Sequence, residues 1–226
     1  MPVPSAPANH GLSFDLLKEK QRRIREGFSE PVGLRVHRAL SWLGRAEAED
    51  ADPDVRFILL WISFNSAYAA DLRDELSGER GSFNAFFDTL VALDRDHRIY
   101  NSVWQRFSQE IRLLLGNPYV FAPFWHHQNG LDGYADWEAR LAASQKVIAR
   151  ALSERQTARI LSTLFDRLYV LRNQLVHGGA TWSSSVNRDQ VRDGAAVLGS
   201  LLPVMVDIMM DNPDRDWGRP FYPVVS

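Results

Sequence analysis

Apolar residues recur every three to four positions along most of this chain, which is the spacing of an amphipathic α-helix. No segment alternates apolar and polar residues as a half-buried strand does. The pattern predicts helices over residues 12–27, 32–49, 54–76, 83–93, 98–115, 134–151, 153–177 and 188–211. We therefore expect an all-α fold, a bundle of about seven to eight helices. It is expected to form a single domain over residues 11–226, with an extended tail from about residue 212.

Local signals refine these boundaries. Residues 1–10 are rich in Pro and Ala, which predicts disorder. Ser82 is expected to cap the helix over 83–93, Ser153 the helix that follows it, and Asn187 the last helix. Pro203 lies inside that last helix and is expected to kink it.

Two segments stand out by their apolar content. The first half of the helix over 54–76 is apolar nearly all round, which predicts a central, buried position. Asn65 lies among its aromatic residues, so we expect this side chain to be buried and hydrogen-bonded. Residues 116–133 are irregular, aromatic and rich in Pro and Gly. A loop of that length usually carries function or packs by its own side chains.

Composition narrows the function classes. The chain has 226 residues and no cysteine, which excludes disulfides, thiolate metal sites and cysteine nucleophiles and fits a reducing compartment. A net charge of −2 argues against a broadly basic surface, so any RNA contact is expected in a local cleft. The N-terminal residues lack a signal-peptide pattern, and no run reaches about 18 apolar residues. We therefore expect a cytoplasmic protein with no membrane contact.

The segment 168–179 (LYVLRNQLVHGG) is the most informative part of the chain. At about 100° per residue, His177 projects roughly 140° from Arg172, on the more polar side of the helix. Gly178 and Gly179 are expected to end the helix, because glycine readily adopts the left-handed conformation there. Arg172 projects into the apolar stripe formed by Leu161, Leu164, Phe165, Leu168, Leu171 and Leu175.

An arginine on an apolar stripe requires compensation, because burying an unpaired guanidinium is costly. Arg172 is therefore expected to pair with a carboxylate, to cap carbonyl groups, or to face a cleft that receives an anion. On this helix alone, a structural salt bridge or a snorkelling side chain is the simpler explanation. A helix cap is likewise the simpler role for His177.

Other constellations favour structural roles. His126 and His127 are adjacent, so their side chains point in different directions, and we expect a packed pair among Phe124 and Trp125 rather than a metal site. Residues 94–97 (DRDH) are typical of a helix-cap turn. The chain contains no phosphate-binding glycine loop and no nucleophile elbow. We predict no metal and no cofactor.

The string Arg172-Asn173-x-x-x-His177, on the penultimate predicted helix, resembles the signature of HEPN domains. Residues 60–68 (LWISFNSAY) are similar to an early buried helix of the Apea-like HEPN branch. The resemblance implies a helical bundle that usually dimerises. Many members are metal-independent endoribonucleases whose arginine and histidine meet at the dimer interface. Other members lack catalysis and serve as interaction modules.

The resemblance implies specific roles for these residues. Arg172 and His177 would be catalytic, Asn173 would support them, RNA would be the substrate, and the chain would form a homodimer. An antitoxin or a regulatory protein would be a further partner, since the family acts in toxin–antitoxin pairs and phage defence. One variant motif has a tyrosine two residues after the histidine; here that residue is Gly179, so tyrosine-dependent chemistry does not carry over.

The chemistry is self-consistent, because RNA carries its own nucleophile, the ribose 2′-hydroxyl. A histidine can exchange a proton near neutrality, and a guanidinium can hold a phosphate through two hydrogen bonds. Two helices around a two-fold axis would bring together the groups that one helix separates. Two alternatives stay open: a non-catalytic HEPN module that binds a protein or RNA, and an unrelated helical scaffold in which Arg172 is structural.

Overall fold

The structure is a computed structural model that describes residues 11–68, 80–220, 222 and 224. The predicted disorder of residues 1–10 lies outside this part of the chain. The described residues contain no β-strand, so the all-α prediction is confirmed for them. They form ten α-helices: α1 (Phe14–Ile24), α2 (Glu30–Glu47), α3 (Pro53–Ala67), α4 (Arg80–Leu93), α5 (Arg98–Asn101), α6 (Ser108–Gly116), α7 (Ala122–Gln128), α8 (Trp137–Ser153), α9 (Thr157–Val176) and α10 (Arg188–Asp211).

The helix count exceeds the expected number of about seven to eight for two reasons. The helix predicted over 98–115 is divided into α5 and α6 by one turn of π-helix, Ser102–Arg106. Phe107 then leaves helical geometry, with φ −119° and ψ 24°. The segment 116–133, predicted to be irregular, contains a 3-10 turn, Pro118–Val120, and the short helix α7.

Several predicted helix ends are wrong. The helix predicted to reach residue 76 stops at Ala67, because Tyr68 is extended at φ −88° and ψ 105°. Residues 69–76 lie outside the described part of the chain. Helix α4 begins at Arg80, so Ser82 lies inside it and cannot be its cap.

Two predicted N-caps before α9 and α10 also differ from expectation. Ser153 is the last residue of α8, and its hydroxyl donates to the carbonyl of Arg150 instead of capping α9. The turn between α8 and α9 contains Arg155, at φ 51°, so α9 begins only at Thr157. Asn187 does occupy the N-cap of α10, but its side chain forms no cap hydrogen bond.

Helix α10 runs through the centre of the fold. Each residue from Leu201 to Met210 is buried, so this helix, rather than the predicted helix over 54–76, is enclosed on all sides. By length and composition α10 is also long and apolar enough to cross a membrane, although Ser200 and Asp207 interrupt its apolar residues. Its burial against the neighbouring helices, 83% of the apolar window, accounts for that composition.

Helix α3 buries a serine instead of the predicted asparagine. The Ser63 hydroxyl donates to the carbonyl of Ala39 at 2.8 Å, and both groups are buried. Asn65 is exposed, so its predicted role as a core polar link is wrong. Helical geometry explains the difference: Trp61 and Phe64 face the core, and Asn65 projects about 100° beyond Phe64.

Arg35 ties the chain that follows α10 to α2 and α3. Its side chain is 1% exposed, and its three nitrogens donate to the carbonyls of Gly218, Ala67 and Arg219 at 3.1, 2.9 and 2.9 Å. Burial lowers the pKa of Arg35 to about 10, and the nearby carboxylate of Asp216 opposes this shift. Arg35 therefore has a structural role: its hydrogen bonds to backbone carbonyls join α2 to the end of α3 and to the chain after α10.

Candidate functional site

Arg172 lies within the sector of α9 that carries the apolar stripe. It is half-buried, and its Nη1 donates to Oδ1 of Asn173 at 2.9 Å. Within residues 11–68 and 80–220, no carboxylate forms an ion pair with it. Most of its five N–H donors are therefore not used by this part of the chain. The predicted stripe is confirmed by the burial of Leu161, Leu164, Phe165, Leu168 and Leu171.

His177 is exposed at the C-cap of α9, as the glycine pair predicts. Its backbone N–H donates to the carbonyl of Asn173 at 3.0 Å, so it keeps helical register with the preceding turn. Gly178 has φ 70°, and the N–H of Gly179 donates to the carbonyl of Gln174 at 2.7 Å. This is the hydrogen-bond pattern of a Schellman motif, in which glycine is favoured at the position with left-handed backbone geometry.

The structure brings Asn173 to Arg172 but does not bring His177 to Arg172. Five residues of α-helix separate the two by about 7.5 Å along the axis and about 140° around it. Asn173 connects them, because its side chain bonds Arg172 and its carbonyl bonds the backbone of His177. One protomer thus presents the two predicted catalytic groups in different directions.

A cleft of about 990 Å³ lies against the face of α9 that carries Asn173. Its walls come from α9, from α8 and from the aromatic segment around α7, so the segment 116–133 borders the candidate site. The polar side chains that line the cleft include His126, Tyr134, Arg140, Asp166, Arg167 and Asn173. The sequence pattern predicts a packing role for His126 and no role for the four residues after it in this list.

Arg167 is a charged group fixed in the wall of this cleft. It is 5% exposed, its Nη2 donates to the Ser144 hydroxyl at 3.1 Å, and its Cζ lies 4.4 Å from the centroid of the Phe121 ring. These contacts join α9 to α8 and to the segment before α7. The projection that drew attention to Arg172 also places Arg167 about 60° from Leu164, so a search for every cation near the stripe would have found it.

Tyr134 forms a second part of the wall. Its ring packs edge-on to His126, with centroids 4.5 Å apart, and the Cζ of Arg140 lies 5.0 Å from its centroid. The neighbouring His127 instead approaches Trp137, at 6.4 Å. The adjacent histidines thus point to different neighbours, as their spacing predicts, and His126 is the one that lines the cleft.

The cleft exists because α8 packs on the core at one end only. Its buried residues are Ile148 and Ala151, both in its second half, while Val147 is 46% exposed. In its first half Trp137 packs against Phe124 of α7, with ring centroids 5.0 Å apart. Because that half meets α9 through the bond from Arg167 to Ser144 and contributes no buried apolar residue, open space remains beside α9.

An apolar surface lies on the other side of Arg172. Leu175, one turn after Arg172, lines a groove of about 290 Å³ together with Val55, Ile58, Leu59 and Trp182. The Trp182 side chain is 76% exposed. We call this surface the Trp182 patch. The end of α9 therefore combines a cation, an exposed histidine and uncovered apolar area.

No protein-family model, curated protein or solved structure matches this chain at a significant level. Among the residues that the structure describes, no three His, Asp or Glu side chains are grouped as ligands for a metal ion. The arrangement at the end of α9 is therefore the basis for assigning a function.

Proposed function

We propose that this chain is a HEPN-like endoribonuclease that needs no metal and cleaves RNA by attack of the ribose 2′-hydroxyl at a homodimer interface. The observation that carries the proposal is the state of Arg172. The residue is half-buried, Asn173 accepts a hydrogen bond from its guanidinium, and it forms no ion pair within the described residues. A group in that state is suited to bind a phosphate through two parallel hydrogen bonds.

His177 supplies the proton transfer. Acting as a base, its imidazole takes the proton of the 2′-hydroxyl, and the resulting oxygen attacks the phosphorus. The bond from phosphorus to the 5′-oxygen breaks, and that oxygen receives the proton from the same imidazolium. Arg172 stabilises the charge that develops on the phosphate oxygens. The products are a 2′,3′-cyclic phosphate and a 5′-hydroxyl.

The homodimer supplies the convergence that one protomer lacks. Because about 140° separates Arg172 from His177 on α9, a single copy does not direct both at one phosphate. A two-fold axis near the end of α9 would place the Arg172 of one copy beside the partner's His177. The Trp182 patch, next to Arg172, offers apolar area for that contact to bury.

The test is RNA cleavage in the presence of EDTA, with product ends identified. We expect the wild type to cleave, and His177→Ala or Arg172→Ala to reduce the rate about 10²–10⁴-fold, the usual contribution of acid–base groups. His37→Ala is the matched control, since His37 is an exposed histidine on α2. Unchanged melting temperatures exclude unfolding as the cause. Cleavage that persists in the double variant would refute the proposal.

One observation favours a second candidate, a non-catalytic HEPN module that dimerises or binds a partner protein. The Trp182 patch is suited to protein contact, and the net charge of −2 gives little attraction for RNA at a distance. This candidate predicts intact RNA and a complex that Trp182→Ser disrupts. Growth arrest on expression, abolished by His177→Ala, would instead indicate a ribonuclease that acts as a toxin or defence effector.

A further inference from the structure

We infer that the cleft beside α9 holds an unpaired base of the RNA together with its adjoining phosphate, which makes single-stranded RNA the substrate class. The inference rests on the proposed ribonuclease function. It assigns the cleft to the nucleotide that neighbours the scissile phosphate.

The position of the cleft along α9 is the first argument. The cleft is lined by one face of α9, whose residues recur at intervals of four, three and four. They are Thr163, Arg167, Val170 and Gln174. His177 comes three residues later, so it projects from the same face at the end of the cleft. A strand cut beside His177 therefore has its next nucleotide at the cleft.

Asn173 links the cleft to the phosphate position. It lines the cleft, and its Oδ1 accepts the hydrogen bond from Arg172. A phosphate held by Arg172 is thus one side chain away from the cleft. Cleft and phosphate site are consequently parts of one continuous surface.

The walls of the cleft suit a base. Trp125 and Tyr134 contribute aromatic rings, and base stacking on such rings tolerates every base because each has a π-face. Tyr134 is half-buried and lies in the chain between α7 and α8. The volume of about 990 Å³ is at the upper end of the usual range for small-ligand sites, so it admits a whole nucleotide.

The guanidinium donors of the cleft suit the adjoining phosphate. Arg140 and Arg167 line the cleft, whereas Asp166 is the acidic residue among the lining side chains. Arg140 also pairs with Asp136 at 2.8 Å and donates to the carbonyl of Gly133 at 2.8 Å, which holds it over Tyr134. A duplex cannot offer a base to this cleft without unpairing it, so single strands are favoured.

Binding is measured separately from cleavage, in the His177→Ala variant, which leaves RNA intact. The probe is a fluorescent single-stranded RNA pentanucleotide, followed by anisotropy. We expect Tyr134→Leu and Arg140→Gln each to raise Kd about tenfold or more, the lower range for a lost base stack or charged contact. Arg150→Gln is the matched control, because Arg150 also forms an i,i+4 ion pair on α8 but does not line the cleft.

The possible outcomes distinguish the assignment of the cleft from the proposed ribonuclease function. Unchanged Kd in both cleft variants would overturn the cleft assignment while leaving wild-type cleavage to stand. If the wild type does not cleave RNA but the cleft variants still weaken RNA binding, the ribonuclease function is refuted and the assignment of the cleft to single-stranded RNA stands. Equal affinity for a duplex of the same sequence, or for a free 5′-mononucleotide, would overturn single-stranded RNA as the source of the base.

Discussion

At the scale of single residues, Asn173 lies between Arg172, the proposed phosphate ligand, and the cleft. Its amide oxygen fixes one nitrogen of Arg172 at 2.9 Å, and its side chain lines the cleft. Without this acceptor the long arginine side chain would sample more rotamers, and fewer of them would present the guanidinium to a phosphate. Asn173 is therefore a positioning residue for Arg172.

Replacing Asn173 tests this role. Asn173→Ala should lower the single-turnover cleavage rate about tenfold, because a hydrogen bond to a charged group is worth about 1.5 kcal/mol. Asn173→Asp keeps an acceptor but adds a negative charge beside Arg172, so it should lower the rate further. Rates at the wild-type level in Asn173→Asp would show that Arg172 does not meet phosphate.

Asp52 holds the chain that follows α9 against the start of α3. Its carboxylate caps α3 by accepting from the N–H of Asp54 at 2.8 Å, and it also accepts from the indole of Trp182. Desolvation alone would raise the pKa of Asp52, but the bonds from Trp182 and the backbone, with the charge of Arg188, outweigh it and lower that pKa. The folded state therefore favours the charged carboxylate.

This lowered pKa predicts a pH dependence. The charged Asp52 carboxylate stabilises the folded state fully at pH values above its ordinary pKa of 3.8. This stabilisation is lost as pH falls through the lowered pKa of the folded state. Asp52→Asn keeps the capping oxygen and removes the charge, so at pH 7 it should cost about 0.5 kcal/mol. Urea unfolding should show the gap between variant and wild type closing in acid. A gap that widens in acid would contradict this account.

Predictions for single residues succeed where helix geometry alone sets the position of the side chain. They fail where segments distant in sequence supply its partners. Helical projection places Arg172 inside the apolar stripe, and in the structure this residue is half-buried. Projection cannot identify Arg35 as the most buried arginine among the described side chains, because the acceptors of Arg35 lie in α3 and in the chain after α10. Arg167 likewise depends on Ser144 and Phe121, which come from other segments.

At the scale of elements, the end of α9 determines where His177 points. Gly178 at φ 70° allows the chain to reverse there, whereas a side chain at this position would be strained. We expect Gly178→Ala to destabilise the fold by about 1 kcal/mol and to lower cleavage by displacing His177. Gly116→Ala is the control, because it ends α6 without a positive φ and has open space around its Cβ position.

Chemical denaturation with both glycine variants checks this prediction. Equal stability of the two would show that the left-handed residue contributes nothing to the end of α9. Loss of cleavage in Gly178→Ala beyond its loss of stability would indicate that the helix end orients the histidine.

Periodicity identifies helices well and their interruptions poorly. The helical spacing of apolar residues in 98–115 continues across the π-helical turn, so the sequence predicts one helix where the structure has two. The turn buries Ser102 and Val103, and the Ser102 hydroxyl lies 3.5 Å from that of Ser200 in α10. Helix α7 was missed for the opposite reason, since its seven residues are too short to show a period and include Pro123.

At the scale of the whole molecule, a site shared between two copies has a distinctive signature. A mixture of Arg172→Ala and His177→Ala protein contains mixed dimers, in which one copy supplies His177 and the other Arg172. If the two groups act across the interface, the mixture should cleave RNA although neither variant alone does. Failure of the mixture to cleave, with exchange of subunits verified, would place both groups in one protomer.

The anchoring of α8 also determines how firmly its backbone is protected from solvent. Ile148 and Ala151 hold its second half, while the first half rests on α7. Local opening of residues 137–146 should thus require much less free energy than opening of α10. In hydrogen–deuterium exchange, the amides of this half should exchange far sooner than those of residues 201–210, and bound RNA should slow them. The cleft would then accept its ligand by a motion of one helix that leaves the core intact.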